Sequence, residues 1–105
     1  MKKYYKDLVS LPGVSSHEKF VRQYMRKHLQ TFTDTIIEDN LGSIFGGVNL
    51  DSDGPTVMMA GHMDEIGAMV KGIHKNGTIQ MMAIGGISPQ VVVSQHMNIV
   101  RNDGT

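Results

Sequence analysis

The sequence predicts an α/β fold, and the opening portion of one larger than its own 105 residues. Three observations lead there. Two helical patterns fill the first thirty positions, and a series of short extended segments follows them. Within that series, "TVMMA" in the segment 56–61 is apolar on both alternations. A strand of that kind needs cover on both faces of its sheet, yet only the two N-terminal helices are available to supply it.

The elements follow in order. Residues 2–11 read as a short helix with Tyr5, Leu8 and Val9 on one side, stopped by Pro12-Gly13. Ser15 and Glu18 match the S-x-x-E capping box. Phe20, Val21, Tyr24, Met25, His28 and Leu29 then mark an amphipathic helix of about four turns. "TIIED" (35–39) and "SIFGGV" (43–48) are predicted strands around the tight turn Asn40-Leu41-Gly42. "TVMMAG" (56–61) is a third. "IGAMVKGI" (66–73) and "TIQMMAI" (78–84) flank Asn76-Gly77, a hairpin signal. Gly85-Gly86 and Pro89 mark a boundary between a first module, 1–85, and a second, 86–105. In the second, "VVVSQHMNIV" (91–100) reads as a strand, and Asp103-Gly104 as a turn whose return strand would lie beyond Thr105.

Composition excludes several functions. Ten basic and ten acidic side chains balance, so no basic patch points to nucleic acid and no cationic amphipathic helix to a membrane surface. No window approaches the run of about 18 apolar residues that spans a bilayer. The opening "MKKYYKDLVSLPG" lacks the apolar core of a signal peptide. Cysteine is absent, which removes disulfides and thiolate metal sites and fits a cytoplasmic protein. The nine methionines read as pliable core filler.

One stretch carries chemistry. "MMAGHMDEIGAMV" (58–70) places His62, Asp64 and Glu65 between apolar runs. On extended backbone His62 and Asp64 point to the same side. If the strand ends near Gly61 they sit at its carboxyl end, where open α/β sheets place ligands. A neutral imidazole binds zinc and similar divalent ions. A carboxylate accepting its other ring N–H fixes the tautomer. Glu65 points the other way and could join only where the backbone turns. The same residues also read as a hydrogen-bonded histidine beside two turn-capping carboxylates. One histidine does not complete a zinc site, which takes three or four protein ligands.

"AGHMDEIGAMV" resembles the first metal-ligand motif of the glutamyl/deblocking aminopeptidases, co-catalytic metallopeptidases that assemble into tetrahedral particles. The flanks are similar too. "LVSLPGVSSHEKFVRQYMRKHL" resembles the family's opening "LPGVSGHE" and helix, with Ser16 where glycine is usual. "EDNLGSIFG" resembles its "D-LGN-" strand segment, and "NGTIQMMAIGGISPQVVVSQHMNIVRNDG" the lead-in to its inserted β-rich domain.

The resemblance implies that 1–85 is the N-terminal part of a mixed-sheet metallopeptidase catalytic domain. Residues 86–105 would then begin the inserted, dimerising β-rich domain. It implies that His62 ligates one of two divalent metals, zinc or cobalt, that Asp64 orients it, and that Glu65 has no clear metal role. It implies peptide substrates, with water activated between the metals and a glutamate taking its proton. It further implies a homo-oligomer, a tetrahedral dodecamer in the full-length protein. The bridging aspartate, the glutamate pair, a further carboxylate and the distal histidine of that chemistry are expected beyond Thr105, so these 105 residues alone are expected to be inactive. Two other readings are a non-catalytic truncated remnant and, since relatives have been labelled cellulases, a glycan hydrolase. The latter needs two carboxylates flanking a sugar, and adjacent Asp64 and Glu65 suit it poorly.

The other polar groups read as structural. His17 is a first-turn surface residue, His28 edges the apolar stripe, His74 precedes a turn, and His96 is remote in sequence from His62. "KNGT" and "NDGT" are turns rather than phosphate loops. Asp51-Ser52-Asp53-Gly54 lacks the remaining positions of a calcium loop and reads as a surface turn.

Overall fold

A computed structural model describes residues 2–104. It is a small mixed helix/strand assembly: helix α1 (Lys2–Val9), helix α2 (Lys19–Leu29), strands β1 (Thr35–Glu38), β2 (Ile44–Gly47), β3 (Gly67–Ile73) and β4 (Ile79–Ile84), and helix α3 (Pro89–Val92). The strands form two separate two-stranded antiparallel sheets, β1–β2 and β3–β4.

Both predicted hairpins form. At the β1–β2 turn, Asp39 Oδ1 accepts from the Leu41 and Ser43 N–H groups at 3.0 and 2.8 Å, and Gly42 takes φ 91°. The Ser43 N–H, foremost among these donors, holds the Asp39 carboxyl below its usual range. At the β3–β4 turn, Gly77 takes φ 84° and Asn76 Oδ1 accepts from the Thr78 N–H and hydroxyl. Pairing there passes from Val70↔Met81 to Gly72↔Gln80, which leaves Lys71 as the extra residue of a bulge.

Helix α2 has 11 residues, about three turns rather than four. Its stripe carries Val21, which is 6% exposed and the one buried apolar side chain among the described residues. The helix is fastened to the first hairpin by charge-assisted contacts. Arg26 Nη2 lies 2.6 Å from Glu38 Oε1, and Arg22 Nη1 donates to the Gly42 carbonyl at 3.3 Å. Helix α1 is tied to α2 at Tyr24, whose hydroxyl donates to Asp7 Oδ2 at 2.9 Å. Desolvation, then the Asp7 carboxylate, pushes the Tyr24 phenol up to about 12. His28 lies against the rings of Tyr4 and Tyr24, at 5.0 and 4.3 Å between centroids.

Three sequence expectations are corrected. The capping box does not form: Glu18 itself is the N-cap of α2, with no side-chain cap bond. Ser16 takes φ 70°, and this left-handed step turns the chain before the helix begins. Glu18 Oε1 accepts from the Ser16 N–H at 2.7 Å, while the Ser15 hydroxyl is used elsewhere. The strand expected over 56–61 is also absent; Val57, Met58 and Met59 are 82%, 76% and 94% exposed and join no sheet among the described residues. The strand expected over 91–100 is replaced by α3 and irregular chain. Pro89 opens a helical turn, where a fixed φ and a missing N–H cost least. Ser94 at φ 65° then breaks the extended run.

The chain is extended, 63 × 30 × 26 Å with a radius of gyration of 17.7 Å; a compact chain of this length has about 13 Å. It exposes 9233 Å², against about 5,800 Å² for a compact protein of equal mass. Apolar surface is correspondingly bare.

Candidate functional site

The chemically equipped corner lies where the loop after α1 meets the chain entering β3. The two pair as parallel strands for a single bridge, Val14↔Glu65. The Glu65 N–H donates to the Gly13 carbonyl at 2.8 Å, and Glu65 Oε1 accepts from the Gly13 N–H at 3.2 Å. Glu65 is therefore a clamp, holding by backbone and side chain the loop that Pro12-Gly13 begins. Glycine is favoured at 13 because a Cβ there would stand 2.7 Å from Val21 Cγ2, and something would have to shift.

The clamp delivers Ser15 to Asp64. The Ser15 hydroxyl donates to Asp64 Oδ2, and Asp64 Oδ1 lies 2.9 Å from His62 Nδ1. The hydrogen bond from Ser15, then that from His62, holds the Asp64 carboxyl below its usual range. As an anion Asp64 can only accept, so His62 donates through Nδ1–H, and in the neutral ring that leaves the lone pair on Nε2. The His62 side chain is 84% exposed and that of Asp64 38%. His62 also borders an open cavity of about 430 Å³ between the helices, β2 and this segment, lined by Leu8, Val9, Leu11, Val21, Met25 and Ile44.

The two site residues singled out in the sequence thus touch. They do so on irregular chain rather than at the end of a strand, since 56–61 forms none. A ring with a buttressed Nδ1–H and a free Nε2 in solvent suits one coordination position of a divalent ion. No group of three or more metal-ligating side chains occurs among the described residues. The remaining histidines stay apart from this corner: His17 and His74 are exposed at turns, His28 lies among tyrosines, and His96 is exposed on irregular chain. Asp51–Gly54 is an exposed turn. Ser15 is the site residue that sequence reasoning misplaced. Its 49-residue separation from Asp64 carries no local signal, and the S-x-x-E spacing offered it a competing role.

The equipped corner is thus a carboxylate-backed imidazole, the arrangement in which metal-ligating histidines are commonly held. A family model described as M42 glutamyl aminopeptidase matches residues 42–105. The chain is 32% identical over 100 residues to a lysyl aminopeptidase of Pyrococcus furiosus, covering 94% of this chain and 28% of that protein. It is equally 32% identical over 100 residues to the glutamyl aminopeptidase of Lactococcus lactis subsp. cremoris, with the same coverages of 94% and 28%. The chain belongs to the M42 family of aminopeptidases. It spans about 28% of the length of these relatives. Among its described residues no helix is long and apolar enough to cross a membrane.

Proposed function

We propose that this chain contributes the first metal ligand, His62, to a metal-dependent aminopeptidase that releases N-terminal residues from peptides. The observation that carries the reading is the Nδ1–Oδ1 contact of 2.9 Å, in a chain of the M42 family. Residues 1–85 form the N-terminal part of its catalytic domain, and 86–105 begin an inserted β-rich domain used in self-association. The full-length protein is a cytoplasmic homo-oligomer. Two divalent ions, zinc or cobalt, serve each subunit, and when bound they polarise the scissile carbonyl and acidify water. His62 offers Nε2 to one of them. Asp64 keeps the imidazole proton on Nδ1, and Glu65 holds the loop against which this pair rests. The relatives bear the names lysyl and glutamyl aminopeptidase at equal identity; of these the glutamyl/deblocking type is the reading adopted. Residues 1–105 alone turn over no substrate, because one imidazole is too few ligands for two ions.

The test is His62→Ala in the full-length protein, with metal content measured by mass spectrometry and hydrolysis followed on aminoacyl chromogenic substrates. Metal content and turnover are expected to fall together. Retention of both would overturn the assignment. Turnover by residues 1–105 alone, abolished by His62→Ala, would overturn the claim of inactivity.

A further inference from the structure

We propose that Ser15 is a positioning residue for His62: its hydroxyl fixes Asp64, and Asp64 in turn fixes which nitrogen of His62 is free to bind a metal. The functional consequence rests on His62 being a ligand, as proposed above; the positioning itself rests on geometry alone.

A carboxylate that accepts a single hydrogen bond can still swing about its last torsion, which is broad and roughly two-fold. Asp64 is held at both oxygens, Oδ2 by Ser15 and Oδ1 by His62. The second hold sets the plane of the carboxylate, and with it the direction in which Oδ1 meets the ring. The tautomer of a neutral imidazole follows the hydrogen bond made by one of its nitrogens. With Oδ1 fixed on Nδ1–H, Nε2 is the donor; with Oδ1 free to turn away, the proton can move to Nε2 and block it.

Ser15 does not reach Asp64 by chance orientation of a surface side chain. Its loop is fastened one and two residues upstream. Gly13 is held in both directions by Glu65, and Val14 is bridged to Glu65 and packs on Gly67. Downstream, the His17 N–H donates to the Val14 carbonyl at 2.8 Å and the Ser16 N–H to Glu18. The half-buried Ser15 is thus presented by a braced turn. Among the described residues no other hydrogen bond uses its hydroxyl, and the helix cap it could have served is not made.

The test uses the full-length protein, stripped of metal and labelled with 15N-histidine, with tautomers read by solid-state NMR at about pH 8.5, where imidazole is neutral. The His62 signals are assigned by their loss in His62→Ala. Wild type is expected to carry the His62 proton on Nδ1. Ser15→Ala shifts population toward Nε2–H and weakens Zn²⁺ in chelator competition, by up to about tenfold, the lower end for partners that orient a ligand. Ser15→Thr keeps a hydroxyl and restores both. An unchanged tautomer in Ser15→Ala, or a Thr variant that behaves as Ala does, overturns the proposal. If Ser15→Ala moves the tautomer while His62→Ala leaves metal content intact, the positioning stands and the metal-ligand reading falls.

Discussion

Residues 56–61 and 62–67 are neighbours in sequence and opposites in structure. In sequence, both have the pattern of a strand or a strand end. The second stretch meets Gly13–Ser15 and is bridged, clamped and hydrogen-bonded there. The first is more apolar and pairs with no strand among the described residues: Met59 is 94% exposed, in a run that belongs to no sheet. Apolarity and β-branching state what a segment would gain by pairing, but pairing needs a second segment, and that segment is non-local. What separates the two stretches is a partner about fifty residues away, present for one and absent among the described residues for the other.

The largest expected effect would break this contrast at its bare side. The polypeptide of residues 1–105, prepared alone, is expected to bind the apolar dye ANS strongly and to self-associate, because Val57, Met58 and Met59 are 82%, 76% and 94% exposed. Full-length protein is expected to do neither at this segment. Weak dye binding and a sharp, concentration-independent melt of the short chain would mean that 56–61 finds cover within it.

Next comes the clamped side. Gly13→Ala drives a Cβ to 2.7 Å from Val21 Cγ2, against the one buried apolar side chain described. The expected cost is about 1–3 kcal/mol, as for overpacked cores, read as a lowered thermal midpoint. Glu65→Ala removes the acceptor of the Gly13 N–H and is expected to cost about 1 kcal/mol. Glu65→Gln keeps an oxygen there and is expected to cost less than half of that. Equal losses from Gln and Ala would show that the carboxylate's charge, rather than its acceptor geometry, holds the loop.

Local signals made much of this legible. Both hairpins were readable because Asn40-Leu41-Gly42 and Asn76-Gly77 are turn chemistry confined to a few residues. Helix α2 was readable from its apolar stripe; its excess predicted turn lies at the N-terminus, where Glu18 rather than Ser15 is the N-cap. His62 and Asp64 were readable as a pair because an i, i+2 spacing brings them together without help from elsewhere. The two missing strands and the role of Ser15 were not, and for one reason: each depends on what another part of the chain supplies. Ser15 had two possible partners, Glu18 nearby and Asp64 far off. The left-handed step at Ser16 decided between them by turning Ser15 away from the helix start.

That step gives the smallest effect and the finest probe of the clamped side. Ser16 at φ 70° occupies a region that costs an L-residue about 1–2 kcal/mol and glycine almost nothing. Ser16→Gly relieves this but also frees the unfolded chain, a penalty of about 0.4–1 kcal/mol. The strain is the larger of the two, so a net gain of about 0.5 kcal/mol is expected in thermal unfolding. The Ser16 N–H is backbone and its bond to Glu18 survives the change. Metal affinity should then hold steady, because Gly at 16 leaves the path from the loop through Ser15 to Asp64 intact. A fall in stability would mean that the turn is held open by its surroundings rather than by its own φ. The brace on Ser15 would then have to be sought in Glu65 alone.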